Sequence, residues 1–301
     1  MKKNNKLFKA IKKPGWLFGV FLRRYLSHYL DDRTFIRWEF FFALGKFPNL
    51  DEPQTFNEKL QWLKLNDIHP EYQSMVDKFE AKEYVRKIIG EQYVIPTYGL
   101  WYSFDEIPFN NLPSKFVLKT THDSGGIVIC TDKSKFDREK AKNKIEKSLT
   151  RNFFYEHREY PYKYIKPRII AEKYMEDESG WQLKDYKIFC FNGNPKFIEV
   201  DYDRYLNHKL NVYDLNWNLI DFYMTSPNDK NVIINRPEML DRMLDFAHKL
   251  SEGKTFVRVD FYSINSSIYF GELTFHPGAG LIDFHPKKFD KILGDMLILP
   301  K

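Results

Sequence analysis

Apolar and polar residues alternate along two runs near the end of the chain, at 257–264 and 267–275. Alternation with a period of two is typical of β-strands, and the short polar stretch between the runs predicts a hairpin. Side chains alternate between the two faces of a strand, so each run carries its charged residues on one face. In an antiparallel pair, Asp260 and Glu272 are then predicted to lie on neighbouring strands and to point the same way.

The polar face of this hairpin carries candidate metal ligands. Arg258 shares a face with Asp260 in the first strand, and Phe270, Glu272 and Thr274 are predicted to share a face in the second. Two carboxylates held close together on rigid strands repel each other unless a cation lies between them. Oxygen ligands suit Mg²⁺, which takes one or two carboxylates plus substrate phosphates. We therefore predict a metal site here, the alternative being that both carboxylates are ordinary solvent-facing residues.

Helical periodicity dominates the first third of the chain, from 33 to 92. Thr55 and Glu58 are spaced as a capping box, which predicts a helix that begins at Thr55. Further on, a polar segment at 207–235 precedes a run with apolar residues at helical spacing. That run, 237–253, predicts a helix that leads directly into the hairpin.

Two shorter apolar runs, 116–119 and 127–130, are joined by a polar loop that contains adjacent glycines. Such a loop lets backbone N–H groups approach a phosphate closely and form an anion-binding nest. Lys119 ends the first run, and a lysine on an apolar strand is costly to bury without an anionic partner. The alternative is an ordinary hairpin turn, and the loop lacks the Gly-Lys-Ser/Thr of a Walker motif. The predicted phosphate-binding residues are Lys119, Ser124, Gly125 and Gly126.

A third pair of strands is predicted from 183 to 204, because an Asn-Gly pair inside this segment is a strong hairpin signal. In the first strand, Asp185 and Lys187 are two residues apart and share one face. Arg204 lies at the far end of the second strand. One interpretation of this pattern is a set of surface ion pairs among these three residues.

Composition indicates a globular protein, since 43% of the 301 residues are hydrophobic, 17% aromatic and 29% charged. The net charge of +6 suits anionic substrates or a membrane surface and does not require a nucleic-acid partner. Cys130 and Cys190 both lie in apolar, strand-like runs. They are interpreted as buried thiols of a reducing compartment, which predicts a cytoplasmic protein without a disulfide framework or a cysteine metal site.

The first segment, 1–32, begins with six lysines and continues into an aromatic-rich, helix-capable stretch. Its apolar core at 15–22 is too short to cross a bilayer, which needs about 20 residues. A small-residue cleavage site is missing, so we expect no secretory signal. A basic helix of this kind can lie on the anionic inner face of the plasma membrane. The alternative is a helix that packs on the body of the protein with its lysines in water.

The hairpin motifs resemble those of the ATP-grasp ligases. In that superfamily an Asp precedes Glu-x-Asn and often Pro-Gly, and here Asp260 matches the Asp and Glu272 the Glu. Thr274 stands where the superfamily usually has Asn, and Pro-Gly follows. The runs FNEKLQWLKL, DYKIFCFNG, RVDFY and GELTF are similar, more specifically, to the teichuronopeptide-biosynthesis (TupA)-like amidoligases of bacterial surface polysaccharide loci. This similarity extends from about Glu52 to the C-terminus.

The resemblance implies an α+β protein with the ATP-grasp fold, in which two α+β lobes grip ATP, and a helical N-terminal extension. The expected domains are a basic, aromatic-rich helical extension at 1–50, a helical and α/β region at 51–112, the small ATP-grasp lobe at 113–178, and the C-terminal lobe with the metal-binding hairpin at 179–301.

The resemblance also implies ATP and Mg²⁺ as cofactors. The implied metal ligands are Asp260, Glu272 and Thr274. Lys119 and the glycine loop would cover the phosphates, together with Asp185 and Lys187. The strand at 169–175 resembles the hinge that contacts adenine, and its implied nucleotide-binding residues are Glu172, Lys173, Tyr174 and Met175. The implied catalytic residues, which stabilise phosphoryl transfer or orient the carboxylate, are Lys187, Arg204 and Arg258.

The implied activity is an ATP-dependent ligation of a carboxylate to an amine through an acyl-phosphate, with release of ADP. For this family, the implied carboxylate is a uronic acid or an acidic residue of a capsule or O-antigen precursor. The implied amine is a small amino compound or an amino acid.

Two other classes of protein stay open. Asp201 and Asp203 form an Asp-x-Asp pair, as in a glycosyltransferase of the same loci that binds its metal there. The other class is a non-catalytic assembly protein that associates with the membrane through the basic N-terminal segment and binds no nucleotide.

Overall fold

Helices precede and flank two antiparallel β-sheets in the computed structural model of the chain. The structure describes residues 15–177, 183–202, 209–224 and 226–300. The α-helices are α1 (Gly15–Phe21), α2 (Asp32–Leu44), α3 (Phe56–Asn66), α4 (Tyr72–Val76), α5 (Glu80–Ile88), α6 (Arg138–Leu149), α7 (Phe154–His157), α8 (Leu240–Ser251) and α9 (Lys288–Met296). The strands are β1 (Thr97–Trp101), β2 (Phe116–Thr120), β3 (Ile127–Cys130), β4 (Ile169–Lys173), β5 (Asp185–Phe191), β6 (Asn194–Tyr202), β7 (Lys209–Tyr213), β8 (Phe256–Ile264) and β9 (Ser267–Thr274).

The first four strands form one antiparallel sheet, named here the N-terminal sheet, in the order β1-β4-β2-β3. Strands β2 and β3 confirm the pair predicted on either side of the glycine loop. One face of the sheet packs on α6 and on two short 3₁₀ turns through an apolar cluster. That cluster includes Phe104, Phe109, Phe116, Leu118, Ile145 and Ala171.

The remaining strands form the C-terminal sheet, in the order β7-β6-β5-β8-β9. One face of this sheet is apolar and is covered by α8 and α5. The residues that meet there include Ile188, Cys190, Val257, Val259 and Phe261 from the sheet, Met243, Ala247 and Leu250 from α8, and Ala81 and Val85 from α5. Helix α8 was predicted to begin at Pro237. It begins at Leu240, after a turn that starts at Pro237.

The opposite face of the C-terminal sheet changes character along its strands. At one end, Phe189, Phe197 and Phe256 pack against Phe56 of α3. Two residues further along the same strands, the apolar side chains give way to the charged residues Asp185, Lys187, Arg258 and Asp260. The alternation predicted for β8 is therefore confirmed, and the charged half of this face is turned toward the N-terminal sheet.

A β-bulge in the hairpin corrects one detail of the sequence prediction. Asp260 pairs with Glu272, but the next residue, Phe261, pairs with Phe270, so Gly271 is the extra residue. Phe270 consequently packs with Phe261 in the apolar cluster under α8. The prediction that it shares a face with Glu272 was wrong. An isolated glycine inside a strand is the usual signal of such a bulge.

Helix α3 holds the loop that follows β9. It begins with the predicted capping box of Thr55 and Glu58. Gln61 Nε2 donates to the carbonyls of Ala279 at 3.0 Å and Gly280 at 2.7 Å. Lys64 Nζ donates to the Ala279 carbonyl at 2.8 Å. These partners are 215 to 219 residues apart in the sequence.

Both cysteines are buried free thiols, as predicted. Cys190 lies under α8, and burial raises the pKa of its thiol to about 12. Among the residues that the structure describes, no helix combines the length and apolar character needed to cross a membrane.

Candidate active site

A cavity of about 550 Å³ opens between the two sheets, α4 and α5. Ligand pockets in proteins typically measure about 300–1,000 Å³, so this one has room for a nucleotide and a small substrate. The charged residues that line it include Lys78, Lys82, Lys119, Asp123, Glu172, Asp185, Arg258 and Glu272.

Glu172 joins two lysines on the N-terminal side of the cavity. Its carboxylate lies 2.5 Å from Lys119 Nζ and 2.6 Å from Lys82 Nζ. Burial by itself raises the pKa of Glu172, but Lys119 and then Lys82 outweigh it and lower the pKa to about 2. One carboxylate thus balances two cations, which leaves positive charge available to an anionic ligand.

Lys82 was not predicted from the sequence. It lies on the buried face of α5 beside Ala81 and Val85. A lysine within the apolar stripe of an amphipathic helix is costly to bury without a partner, and this was the available signal.

Asp123 anchors the loop between β2 and β3. Its carboxylate accepts hydrogen bonds from the hydroxyls of Thr120 and Ser148, and Arg151 Nη1 lies 3.7 Å away. The base of the loop is therefore fixed to the end of α6.

The tip of this loop carries the residues predicted to contact phosphate. Ser124 and Gly125 are exposed and line the cavity, and Gly125 has a φ of +106°, in the region that favours glycine. Gly126 has no room for a side chain, because a Cβ would lie 1.9 Å from Thr120 Oγ1 and 2.3 Å from Ser148 Oγ. Closure of the loop, as well as any approach of a phosphate, therefore requires these glycines.

Lys78 connects the loop with the opposite sheet. Its Nζ donates to the Asp123 carbonyl oxygen. Burial lowers the pKa of Lys78, and the nearby Glu272 and Asp123 oppose that effect. Since Glu272 belongs to β9, Lys78 lies between the glycine loop and the hairpin.

Arg258 occupies the space between the two predicted metal ligands. Asp260 and Glu272 face each other in register across β8 and β9. Arg258 Nε lies 2.7 Å from Asp260 Oδ1, and its Nη2 lies 2.6 Å from Asp260 Oδ2 and 2.9 Å from Glu272 Oε1. Thr274 Oγ1 accepts from Arg258 at 3.1 Å and donates to Glu272 Oε1 at 3.2 Å. The two carboxylates thus lie together as predicted, with a guanidinium as their cation.

The chemistry of these donors fits a magnesium ion. Glu272 is 50% exposed and opens onto the cavity, whereas Asp260 is buried beneath it. Burial raises the pKa of Asp260 well above its ordinary value; Arg258 opposes this effect, and Asp185 and Glu272 add to it. Within the described ranges, no three His, Cys, Asp or Glu side chains form a metal cage. A magnesium ion here would need phosphate or water as further ligands.

Lys187 lies in a cluster of carboxylates on β5 and β6. It is bonded to Asp201 and lies 3.4 Å from Asp185 and 3.8 Å from Glu199. Burial raises the pKa of Glu199 to about 7, against the effect of Lys187. Asp185 lines the cavity and Lys187 does not, so contact of Lys187 with a phosphate stays a prediction.

Two predicted residues lie outside the described part of the chain. They are Arg204 and the second residue of the Asp-x-Asp pair, Asp203.

The predicted hinge corresponds to β4 and the residues after it. Of its four candidate residues, Glu172 lines the cavity and is paired with lysines. Lys173 is exposed and donates its backbone N–H to Pro96 at 3.0 Å, and Lys115 Nζ lies 5.5 Å from the ring of Tyr174. Met175 is half-buried. Contact of this segment with adenine stays a prediction.

The sequence analysis did not predict that four residues together form a further wall of the cavity. It is formed by Phe153, Glu159, Tyr162 and His276, which come from the segment before β4 and from the residue that follows β9 by two positions. Glu159 and His276 are 5% and 6% exposed, and burial lowers the pKa of His276. Nothing in the local sequence pattern relates these positions, which only the fold brings together.

Comparison with known proteins identifies one family whose model matches most of the sequence. The sequence matches the family described as TupA-like ATPgrasp over residues 58–298. No curated protein matches it. Solved structures with similar folds include D-alanine–D-alanine ligase from Bacillus anthracis complexed with ATP, at 14% identity and a TM-score of 0.39, covering 66% of this chain and 53% of that one. The present chain therefore spans about half the length of that ligase.

Two further structures are similar at the same level. D-alanine–D-alanine ligase from Helicobacter pylori is 13% identical with a TM-score of 0.42, covering 82% of this chain and 68% of that one. L-Amino acid ligase from Bacillus licheniformis is 11% identical with a TM-score of 0.47, covering 80% of this chain and 55% of that one. Because the family match spans well over half of the sequence, this protein belongs to the TupA-like ATP-grasp family and has the ATP-grasp fold.

Proposed function

We propose that the protein is an ATP-dependent carboxylate–amine ligase, which forms an amide through an acyl-phosphate and releases ADP. The observation that carries this proposal is the convergence on one cavity of three lysines from one side and the Arg258 fork from the other. Membership in the ATP-grasp family supports it. Phosphoryl transfer depends mostly on positioning and on charge stabilisation, and these residues supply both.

Each group has a role in this proposal. Lys82 and Lys119 balance the triphosphate, and the tip of the glycine loop covers it. The substrate carboxylate attacks the γ-phosphate and ADP leaves. The uncharged amine then attacks the acyl carbon, displaces phosphate and loses a proton as the amide forms. Arg258 orients the carboxylate and stabilises the negative charge that develops on its oxygen. The family resemblance also assigns Lys187 and Arg204 to charge stabilisation during phosphoryl transfer.

Asp260 and Glu272 would hold the magnesium ion, with Thr274 as a neighbouring oxygen donor. When bound, the ion supplies charge neutralisation to the phosphates during transfer. Arg258 shares both carboxylates, so its guanidinium has to give up part of its present contacts when a cation is bound.

The proposed substrates follow the TupA-like family. The carboxylate is a uronic acid or similar acid of a capsule or O-antigen precursor, and the amine is an amino acid or small amine. A lined cavity of about 550 Å³ accommodates a sugar acid beside a nucleotide.

Release of ADP tests the proposed reaction. Purified protein with Mg²⁺ and ATP is assayed against D-glucuronate, D-galacturonate and L-glutamate, each with ammonia, glycine or L-alanine. We expect ADP release that requires both a carboxylate and an amine. Asp260→Asn should lower it by about 100-fold or more, since Asp260 would hold the magnesium ion and orients Arg258.

The glycosyltransferase alternative gives the opposite result. If Asp203→Asn abolishes activity, if Asp260→Asn leaves it intact, and if UDP-glucose is consumed without ATP, the ligase proposal is wrong.

We also propose that the protein contacts the inner face of the plasma membrane through α1 and the turn after it. Leu17, Phe18, Phe21 and Tyr25 are each more than half exposed. They recur at helical spacing beside Arg24, and the sequence before them carries six lysines. An exposed apolar stripe with flanking basic residues suits an anionic lipid surface.

A further inference from the structure

Glu159 is a nearly buried carboxylate that forms no ion pair with a lysine or arginine of the described residues. It is 5% exposed and lines the cavity. In the described part of the chain, no lysine or arginine nitrogen lies within 4.0 Å of it, and its nearest charged-type neighbour is His276, with Nδ1 at 3.7 Å. An unpaired buried carboxylate is costly, because it has lost its hydration without gaining a counter-charge.

Lys64 attracts Glu159 through space, but the two side chains form no ion pair within 4.0 Å. Its Nζ donates to the Ala279 carbonyl at 2.8 Å and is held there, beneath the loop that follows the hairpin. Glu159 is fixed as well, since it precedes the 3₁₀ turn Tyr160–Tyr162 and its carbonyl accepts the Tyr162 N–H at 3.0 Å. A direct ion pair with Glu159 would require Lys64 Nζ to move from this position.

The surroundings of Glu159 suit an organic cation. His276 Nδ1 is buried and has no hydrogen-bond partner, although its residue lines the cavity. Phe153 and Tyr162 line the same wall, with their rings 4.9 Å apart in an edge-to-face arrangement. Aromatic faces attract ammonium groups, and a neutral ring nitrogen can share a hydrogen bond with one.

This wall also adjoins the hairpin. Burial raises the pKa of Tyr162 well above its ordinary value, and the next causes are Glu159 and Glu272. Tyr162, Glu159 and Glu272 all line the same cavity. His276 follows Thr274 by two residues, so the strand that carries Glu272 runs on into this wall.

We propose that Glu159, with His276 and the two aromatic rings, is the subsite that binds the ammonium group of the amine substrate. This inference rests on the proposed function. The site takes a primary ammonium and holds its nitrogen on the side of the cavity next to the Arg258 fork. Glu159 accepts one proton from the ammonium, which leaves the uncharged amine that attacks. A substrate carboxylate is repelled from the same place by Glu159. The charges of the two substrates thus direct them to different parts of the cavity, the amine to Glu159 and the carboxylate away from it.

A binding measurement tests the subsite without any knowledge of the acid substrate. The imidazole resonances of His276 are followed by NMR while methylammonium chloride is added to the protein with Mg²⁺ and ADP. We expect a saturable shift in the wild type, no saturable shift in Glu159→Gln, and partial recovery in Glu159→Asp. Absence of a shift in the wild type, or an equal shift in Glu159→Gln, overturns the subsite.

A kinetic measurement tests it during turnover. Hydroxylamine is mostly uncharged at neutral pH and traps an acyl-phosphate as a hydroxamate. In Glu159→Gln we expect the KM for the amine to rise by about 30-fold or more, because a desolvated charge pair is lost. Hydroxamate formation from the best carboxylate of the panel should stay within about threefold of the wild-type rate. An unchanged KM for the amine contradicts the inference.

Glu58→Gln is the matched control, since Glu58 is 7% exposed and outside the cavity. It should lower the melting temperature and leave the KM for the amine unchanged. The two hypotheses can fail separately. A wild type that forms no hydroxamate contradicts the ligase proposal, whereas a methylammonium shift that depends on Glu159 supports the cation subsite in either case.

Discussion

Glu172 shows how one carboxylate sets the charge of the nucleotide side of the cavity. It holds Lys82 and Lys119 in place and neutralises only one of them. Sequence analysis placed Lys119 correctly at the end of an apolar strand, since the cost of burying a lone lysine is visible in the pattern. It interpreted Glu172 as a hinge residue, because nothing local indicates that this side chain is shared by a strand and a helix.

Glu172→Gln should destabilise the protein by about 3–5 kcal/mol at pH 7, because both lysines then lose a buried partner. The effect depends on pH with a definite sign. The pKa of Glu172 is lowered from 4.5 to about 2, so its contribution is complete above pH 4.5 and is lost as the pH falls toward 2. Urea unfolding at pH 7 and pH 3.5 measures both effects.

Glu176→Gln is the control for this prediction. Glu176 forms a partly exposed pair with Lys115 at 3.5 Å, and exposed pairs contribute about 0–1 kcal/mol. Equal losses of stability in the two variants would contradict the role assigned to Glu172.

Strands and their alternation were the elements best predicted from the sequence. Period-two patterns identified β8 and β9, and short apolar runs identified the two strands around the glycine loop. Strand β7 was missed, because its five residues lie inside a segment that is polar overall. The bulge at Gly271 was missed as well, although it decides on which side Phe270 lies.

The glycine loop gives a prediction at the scale of an element. Gly126→Ala should destabilise the protein by about 1–3 kcal/mol, because the new methyl group overlaps the hydroxyls that bind Asp123. It should also weaken ATP binding, since the loop tip is displaced. Thermal unfolding and titration with ATP measure the two effects.

Gly19→Ala is the matched control in a helix. Its Cβ would have its nearest neighbour at 3.5 Å, so we expect no loss of stability. A Gly126→Ala variant that is as stable as Gly19→Ala and binds ATP normally would contradict the assigned role of the loop.

The whole molecule combines a cavity built from both halves of the chain with an exposed aromatic helix at one end. The family resemblance predicted the overall fold, because its motifs are spread along the sequence. The wall of Glu159 and His276 could not be predicted in this way. Its members are more than a hundred residues apart and are related only by packing.

Membrane contact is a property of the whole molecule and can be measured with vesicles. We expect the protein to sediment with vesicles containing phosphatidylglycerol, to do so far less with pure phosphatidylcholine, and to dissociate in high salt. The double substitution Phe18→Ser and Phe21→Ser should weaken binding by about tenfold or more, because two inserted aromatic rings are lost. Ile233→Ser, at an 88% exposed position of another segment, is the control and should bind normally.

The hydrogen bonds from α3 to the loop after β9 bear on the order in which the protein folds during synthesis. Gln61 leaves the ribosome early, yet its partners are made more than two hundred residues later. However early α3 forms, Gln61 stays without these partners until the loop after β9 has been synthesised. Contacts between residues so far apart in the sequence favour slow folding, and apolar surface stays exposed until they form. The cavity is thus expected to be among the last parts of the protein to fold.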